Sequence, residues 1–363
     1  MSDNIFGHIF KARQIAFGIN VDLELEMLKN NVRNEITEKR ICDSLRFVMF
    51  KITNKCNSYC VYCGYSAKNR YSEYRKSHRS KEERISTEEI KILIDQAADL
   101  GALAIAYNGG EPLLREDIAD IILYSNNNRV LPILMTNGLL LPMKWEQLGE
   151  AGLKYVMISL DSLVDNISKL QRGVTAKRIR NGLDAAIRMR GKYGDMIIHI
   201  TAVVTRYNIN ELCDLARFAR KNNIWLEICA YHHMLDDADE LSVDDALLCD
   251  NVVEKLKSMK LQGYPISTSN EYFDHLTDFC VHKIRKPVGY KCLVGYNTLH
   301  VDGYLNIRPC WDTSFNVVGN LRTNTLQDVW RGQSMQEFRR KMLFGQCDGC
   351  WNMCNEVTSL INE

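Results

Sequence analysis

The sequence predicts an α/β protein: a partial (β/α)6 barrel of the TIM type, followed by a small C-terminal unit of a β-hairpin and a helix. Three observations carry this. Six short apolar runs rich in β-branched residues recur along the first two thirds of the chain; amphipathic stretches separate them; and two late strand-like runs flank "VDGY". Successive strand and helix units imply a parallel sheet, because each crossover must return the chain to the same end.

The expected strands are "FVMFKIT" (47 to 53), "LAIAYN" (103 to 108), "PILMTN" (132 to 137), "YVMISL" (155 to 160), "IIHITAVV" (197 to 204) and "WLEICAY" (225 to 231). Between the first two, "STEEIKILIDQAADLG" opens with a Ser-x-x-Glu capping pattern and closes on glycine. "NELCDLARFARKNN" places Leu212, Leu215, Ala216 and Ala219 on one helix face. Near the end, Asp302 and Gly303 signal the hairpin turn, and "GNLRTNTLQDVWRGQSMQEFRRKML" reads as a turn and an amphipathic helix.

The chain divides into a helical, charged extension (1–45), the barrel (46–235), a helical connector placed to cover the substrate opening (236–285) and the C-terminal unit (286–363). A length of 363 residues and 46% apolar content can fill such a core. The net charge of +1 excludes a dedicated nucleic-acid binder. No signal sequence or membrane-length apolar run appears, so a cytoplasmic protein with no membrane partner is expected.

Thirteen cysteines in a reducing compartment point to metal binding or catalysis rather than to disulfides. "CNSYCVYC" follows the first strand and holds Cys56, Cys60 and Cys63. Ligands bind at the carboxyl ends of parallel strands, and "YNGGEP", "TNG", "SLDS" and "VVTRYN" end the next four, so every unusual stretch falls on one rim. Structural zinc wants four ligands, and a distant His or Cys would have to complete this loop. A four-iron cluster held by three cysteines instead keeps one iron open for an exchangeable ligand, such as a cofactor chelating through an amine and a carboxylate.

Cys56-x3-Cys60-x-Tyr62-Cys63 with Gly109-Gly110-Glu111-Pro112 after the second strand resembles the radical S-adenosylmethionine (radical SAM) superfamily. The resemblance implies that Cys56, Cys60 and Cys63 hold a 4Fe-4S cluster whose open iron takes the methionine moiety of S-adenosylmethionine, and that a flavodoxin or ferredoxin-type donor supplies the electron. It implies that Gly109 and Gly110 let the backbone approach the ligand, that Glu111 meets the methionine ammonium, and that Tyr62 lies against adenine. Ser159 resembles a ribose or amino-acid contact, and Arg172 a clamp on the methionine carboxylate. Asn137 and Asn208 end strands three and five, where they meet ribose or adenine or else cap the turn.

Cys292, Cys310, Cys347 and Cys350, spread over the hairpin and "CDGCWNMC", resemble the ligands of the twitch domain, a shortened SPASM extension. That likeness implies one fully coordinated auxiliary 4Fe-4S cluster, with Cys354 able to replace one ligand; a zinc ribbon is the alternative. Cys42, Cys213 and Cys249 read as core residues. Cys229, near the end of the sixth strand, is a candidate hydrogen donor to a substrate radical, with core packing as the alternative; Cys280 shares that reading, and His232 and His233 are candidate substrate contacts. The expected activity is radical oxidation or epimerisation of a small polar metabolite of sugar or aminocyclitol type. A maturase of ribosomally made peptides and a non-catalytic zinc module are the alternatives.

Overall fold

The computed structural model describes residues 4–20, 45–63, 85–232, 238–286, 292, 294–311, 317–344, 346, 347 and 350. Cys42, His233 and Cys354 lie outside them, as does the whole stretch 21–44.

Six parallel strands run in chain order: β1 (Phe47–Thr53), β2 (Ala104–Gly109), β3 (Leu131–Thr136), β4 (Tyr155–Ser159), β5 (Ile197–Val204) and β6 (Trp225–Ala230). They form an open partial barrel, as expected. Helices α2 (Thr87–Asp99), α3 (Ile118–Asn127), α4 (Leu141–Glu150), α5 (Asp165–Arg172), α6 (Ala176–Tyr193) and α7 (Leu212–Lys221) connect them. Ser86 caps α2 in a complete capping box with Glu89. Leu212, Leu215, Ala216 and Ala219 are the buried face of α7.

The strands are apolar on both faces because both faces are covered. Val48, Phe50, Ile52, Ile105 and Tyr107 face the helices in one core. Phe47, Ala104, Ala106, Ile133, Tyr155 and Met157 point into the barrel and form a second core with Ile9 and Ala12. Those two residues belong to α1 (Ile5–Phe17), which plugs the amino end of the barrel. Arg13 fastens the plug by donating to the carbonyls of Leu103 and Arg129 at 2.5 and 3.0 Å.

The hairpin is no separate unit. Its strand β7 (Thr298–Val301) pairs parallel to β1, with Phe47 opposite Thr298 and Phe50 opposite Val301, and β8 (Asn306–Arg308) and β9 (Gly319–Asn320) continue the same sheet antiparallel. The reason is edge protection: an open barrel exposes the unpaired backbone of β1 and β6. At the β6 edge the connector, carrying α8 (Ala246–Leu261), α9 (Asn270–Asp274) and α10 (Leu276–Cys280), lays residues 265–267 alongside. Leu226 N donates to Pro265 O at 2.8 Å, and Ser267 N to Leu226 O at 2.9 Å. The described part of the connector therefore closes an edge, and it also meets the carboxyl end of β6, where Ala230 N donates to Tyr272 Oη at 2.8 Å. The expected single C-terminal helix is two, α11 (Leu326–Arg331) and α12 (Gln333–Leu343), broken at Gly332.

Candidate functional site

The Cys56–Cys63 loop is fastened at both ends. Tyr59 N and Val61 N donate to the carbonyls of Arg172 and Gln171 at the end of α5 at 3.0 and 2.9 Å, and Ser58 Oγ adds a third bond to Arg172 O at 2.8 Å. From the other side, Gly110 N donates to Thr53 O and Glu111 N to Lys55 O, both at 2.7 Å. This contact explains the glycine pair. A Cβ on Gly110 would lie 2.0 Å from Lys55 O, and one on Gly109, whose φ is +123°, would lie 2.3 Å from Thr53 O. The backbone that approaches closely here is the chain leading into the cysteine loop, at Thr53 and Lys55.

Glu111 is completely buried and turned inward. Its Oε1 accepts from Leu113 N at 3.0 Å and Thr136 Oγ1 at 2.7 Å, and its Oε2 from Asn137 N at 2.8 Å. Burial pushes its carboxyl up against the pull of these donors. Glu111 thus ties the ends of β2 and β3 together through three accepted hydrogen bonds. Asn137 caps its own turn by accepting from Leu139 N at 3.0 Å, while its Nδ2 donates to Asn57 Oδ1 at 2.7 Å and lies 4.0 Å from Cys56 Sγ. It touches the cysteine loop, not only the turn.

Arg172 is buried and ion-paired to Asp161: Nη2 donates to Oδ1 at 2.8 Å and Nε lies 2.7 Å from Oδ2, while Nη1 is 3.8 Å from Cys60 Sγ. Burial opposes the Arg172 charge, but Asp161, Tyr62 and Cys60 outweigh it and hold the guanidinium firmly protonated. Tyr62 donates its hydroxyl to Asp161 and lies with its ring 5.7 Å from the guanidinium carbon. Burial above all pushes this phenol far up. Both residues thus share Asp161 as a partner beside the cysteine loop. Asn208, fully buried, donates to the carbonyls of Asp161 and Val203 at 2.8 and 2.9 Å and accepts from Thr205 N at 2.8 Å, so it braces the Asp161 turn. Asp161 is the residue that sequence reasoning missed, although "SLDS" marked the stretch that holds it.

Ser159 and Cys229 take their expected places at the carboxyl ends of β4 and β6, half-buried. Leu226, Ile228 and Ala230 pack on the helix side, so strand alternation turns Cys229 into the barrel, in register with Val203. Cys280 is buried, its thiol pushed up by burial and by Cys249 beside it, so both fit core packing. Cys213 is half-buried on α7. His232 sits edge-on between Phe279 and Trp311, ring centroids at 5.1 and 4.7 Å.

In the C-terminal part Cys310 is buried, and Cys292, Cys347 and Cys350 are half-buried. Burial pushes the Cys292 thiol up to about 12, with Cys350 and Cys347 close enough to add to the rise. Among the described residues no three His, Cys, Asp or Glu side chains converge tightly enough to hold one metal ion. Three thiols on one short loop suit a cluster that keeps one iron open, and donors aimed at the sulfurs, here Arg172 Nη1 at 3.8 Å from Cys60 Sγ and Asn137 Nδ2 at 4.0 Å from Cys56 Sγ, are what tunes such a cluster. The residues therefore fit an iron-sulfur group.

Comparison with known proteins agrees. The family model described as the radical SAM superfamily matches residues 50–219, and one described as an iron-sulfur cluster-binding domain matches residues 292–351. The chain is 27% identical over 307 residues to a probable GTP 3',8-cyclase of Methanocaldococcus jannaschii, covering 81% of this chain and 92% of the relative. A GTP 3',8-cyclase of Campylobacter lari is 28% identical over 295 residues, 79% of this chain and 86% of the relative. Streptococcus suis SuiB, solved bound to precursor peptide SuiA, shares the fold with a TM-score of 0.67 at 18% identity, over 94% of this chain and 79% of SuiB.

Proposed function

We propose that this chain, a member of the radical SAM superfamily with a C-terminal iron-sulfur cluster-binding domain, removes a hydrogen atom from a small polar substrate at the carboxyl rim of its barrel. Its cofactors are S-adenosylmethionine and two 4Fe-4S clusters. When bound, they supply a 5'-deoxyadenosyl radical after one-electron reduction. The observation that carries the reading is the three-thiol loop, clasped between the Gly109-Gly110 turn and the end of α5 with Arg172 Nη1 beside Cys60.

Cys56, Cys60 and Cys63 are assigned to the radical cluster, and Cys292, Cys310, Cys347 and Cys350 to the auxiliary one. The chain's own residues then do three things. Asp161 neutralises and aims Arg172, Glu111 locks the turns on which the loop rests, and the inward face of β5 and β6 presents Val203 and Cys229 to the substrate space. Cys229 is placed to return a hydrogen atom if the reaction ends that way.

A small-molecule substrate is supported by the likeness to GTP 3',8-cyclases along most of both chains. The narrower sugar or aminocyclitol, and oxidation or epimerisation over cyclisation, draw no support from those relatives. A peptide substrate remains the second reading; SuiB, whose structure contains one, lends the fold alone. A flavodoxin or ferredoxin is the proposed electron donor.

The test is anaerobic reconstitution followed by iron and sulfide analysis and assay of 5'-deoxyadenosine with a strong reductant. Near eight irons, S-adenosylmethionine cleavage, and loss of both cleavage and about four irons in a Cys56/Cys60/Cys63 triple alanine variant are expected. Stoichiometric zinc with no cleavage would overturn the reading.

A further inference from the structure

Where β1 meets the hairpin, a set of charged and polar side chains gathers inside the barrel, one layer below the cysteine loop. Strand alternation fixes the direction: Phe50, Leu299 and Val301 pack outward, so Lys51, His300 and Asp302 turn inward. Lys51 stands opposite Asn108 of β2, His300 opposite Met49 of β1 and Arg308 of β8. Lys51 keeps accessible surface although it is deeply set, and burial lowers its pKa while Asp302 and Cys63 pull it back up and Arg308 lowers it further. Asp302 is held by Tyr304 N, Asn306 N and Asn306 Nδ2 at 2.9, 3.0 and 3.0 Å, with Arg308 Nε 3.9 Å away. Among the described residues these groups bring two cations and one carboxylate together at a site no assignment above has used.

Two unsatisfied atoms complete the pattern. His300 is more than nine-tenths buried, and its Nε2 has no hydrogen-bond partner among the described residues; the same holds for Asn108 Oδ1. Burial beside Lys51 drives the His300 pKa down to about 3, so the ring is neutral and can donate one N–H. Buried polar atoms without partners mark a place that a polar ligand fills.

We infer that Lys51, Arg308 and His300 form a subsite for a carboxylate or phosphate carried by a hydroxylated small-molecule substrate, with Asn108 Oδ1 accepting from a hydroxyl. The site rests on the radical SAM reading for its relation to the reacting centre. It disfavours a cationic aminocyclitol, which would meet like charge at this wall.

Calorimetric titration of inorganic phosphate, and separately of acetate, into the anaerobically reconstituted full chain tests it. Saturable binding of one anion per chain is expected, undisturbed by saturating S-adenosylmethionine, and the preferred anion tells phosphate from carboxylate. Lys51→Gln should weaken that binding about tenfold or more, while Lys51→Arg keeps most of it; equal iron content and circular dichroism establish that both variants fold. No saturable binding of either anion, unchanged affinity in Lys51→Gln, or displacement by S-adenosylmethionine would overturn the subsite. The last result would assign these cations to the cofactor's own carboxylate. Failure of the radical SAM reading shows separately, as missing iron and absent S-adenosylmethionine cleavage in the wild type.

Discussion

The two cysteine regions are built in opposite ways. Cys56, Cys60 and Cys63 lie within eight consecutive residues, on a loop that two neighbouring turns grip through backbone hydrogen bonds. Cys292, Cys310, Cys347 and Cys350 come from three separated segments, before β7, after β8 and after α12, placed by the extension of the barrel sheet and by α12 packing back, Arg339 Nε donating to Gly295 O at 2.7 Å. A local motif preforms the first site. The second is assembled by packing, so it should answer to mutations far from its thiols.

The sharpest way to separate them is by ligand removal. Cys60→Ala should abolish S-adenosylmethionine cleavage and lower iron from about eight to about four per chain, whereas Cys347→Ala should lose the same iron yet keep the wild-type signal of the S-adenosylmethionine-bound cluster in electron paramagnetic resonance. If both variants lose that signal, the two sites are not independent.

Next in size is the support beneath the first site. Asp161→Asn leaves the buried Arg172 without its counter-charge and should cost about 3–5 kcal/mol in denaturant unfolding, with iron loading impaired. Replacing Asp161 and Arg172 together by Asn and Met should recover much of the stability but not the loading, because the donor to Cys60 is then gone.

Acid should strike both regions. His8 and His300 are each driven down to about 3, and His199 well below its ordinary value, all chiefly by burial. Their folded pKa values lie below the unfolded ones, so the folded state binds fewer protons. Their contribution is present above about pH 6.5 and is lost as pH falls towards 3, each at up to about 1.4 kcal/mol per pH unit. His8→Phe should flatten the melting temperature against pH by one histidine's share; an unchanged slope would contradict a neutral His8 against His199, whose nitrogens lie 3.1 Å apart.

Smallest is the surface link between barrel and C-terminal part, Arg322 to Glu89 at 2.7 Å. Arg322→Ala should change stability by about 1 kcal/mol or less and leave iron at both sites. A larger loss would mean that the second region depends on this exposed contact rather than on its sheet.

Much of this was legible in the chain alone. Apolar runs and the Ser86-x-x-Glu89 cap located all six parallel strands to within a residue or so and the start of α2, because their period and capping chemistry are local. The three-thiol loop and the Gly109-Gly110 pair were visible for the same reason, as contiguous motifs. What no contiguous stretch reveals is who occupies whom. Arg172, Tyr62, Glu111 and Asn208 each hold a partner within the chain that their own motifs do not show, because a buried charge or amide takes the nearest partner the fold offers. Asp161 gained its place as the common partner of Arg172, Tyr62 and Asn208 only when β4, α5 and β5 converged. The hairpin's union with β1, and the line of Lys51, His300 and Arg308 that it creates, likewise depended on strand register across some 250 residues of sequence, a long-range pairing that composition and spacing do not encode.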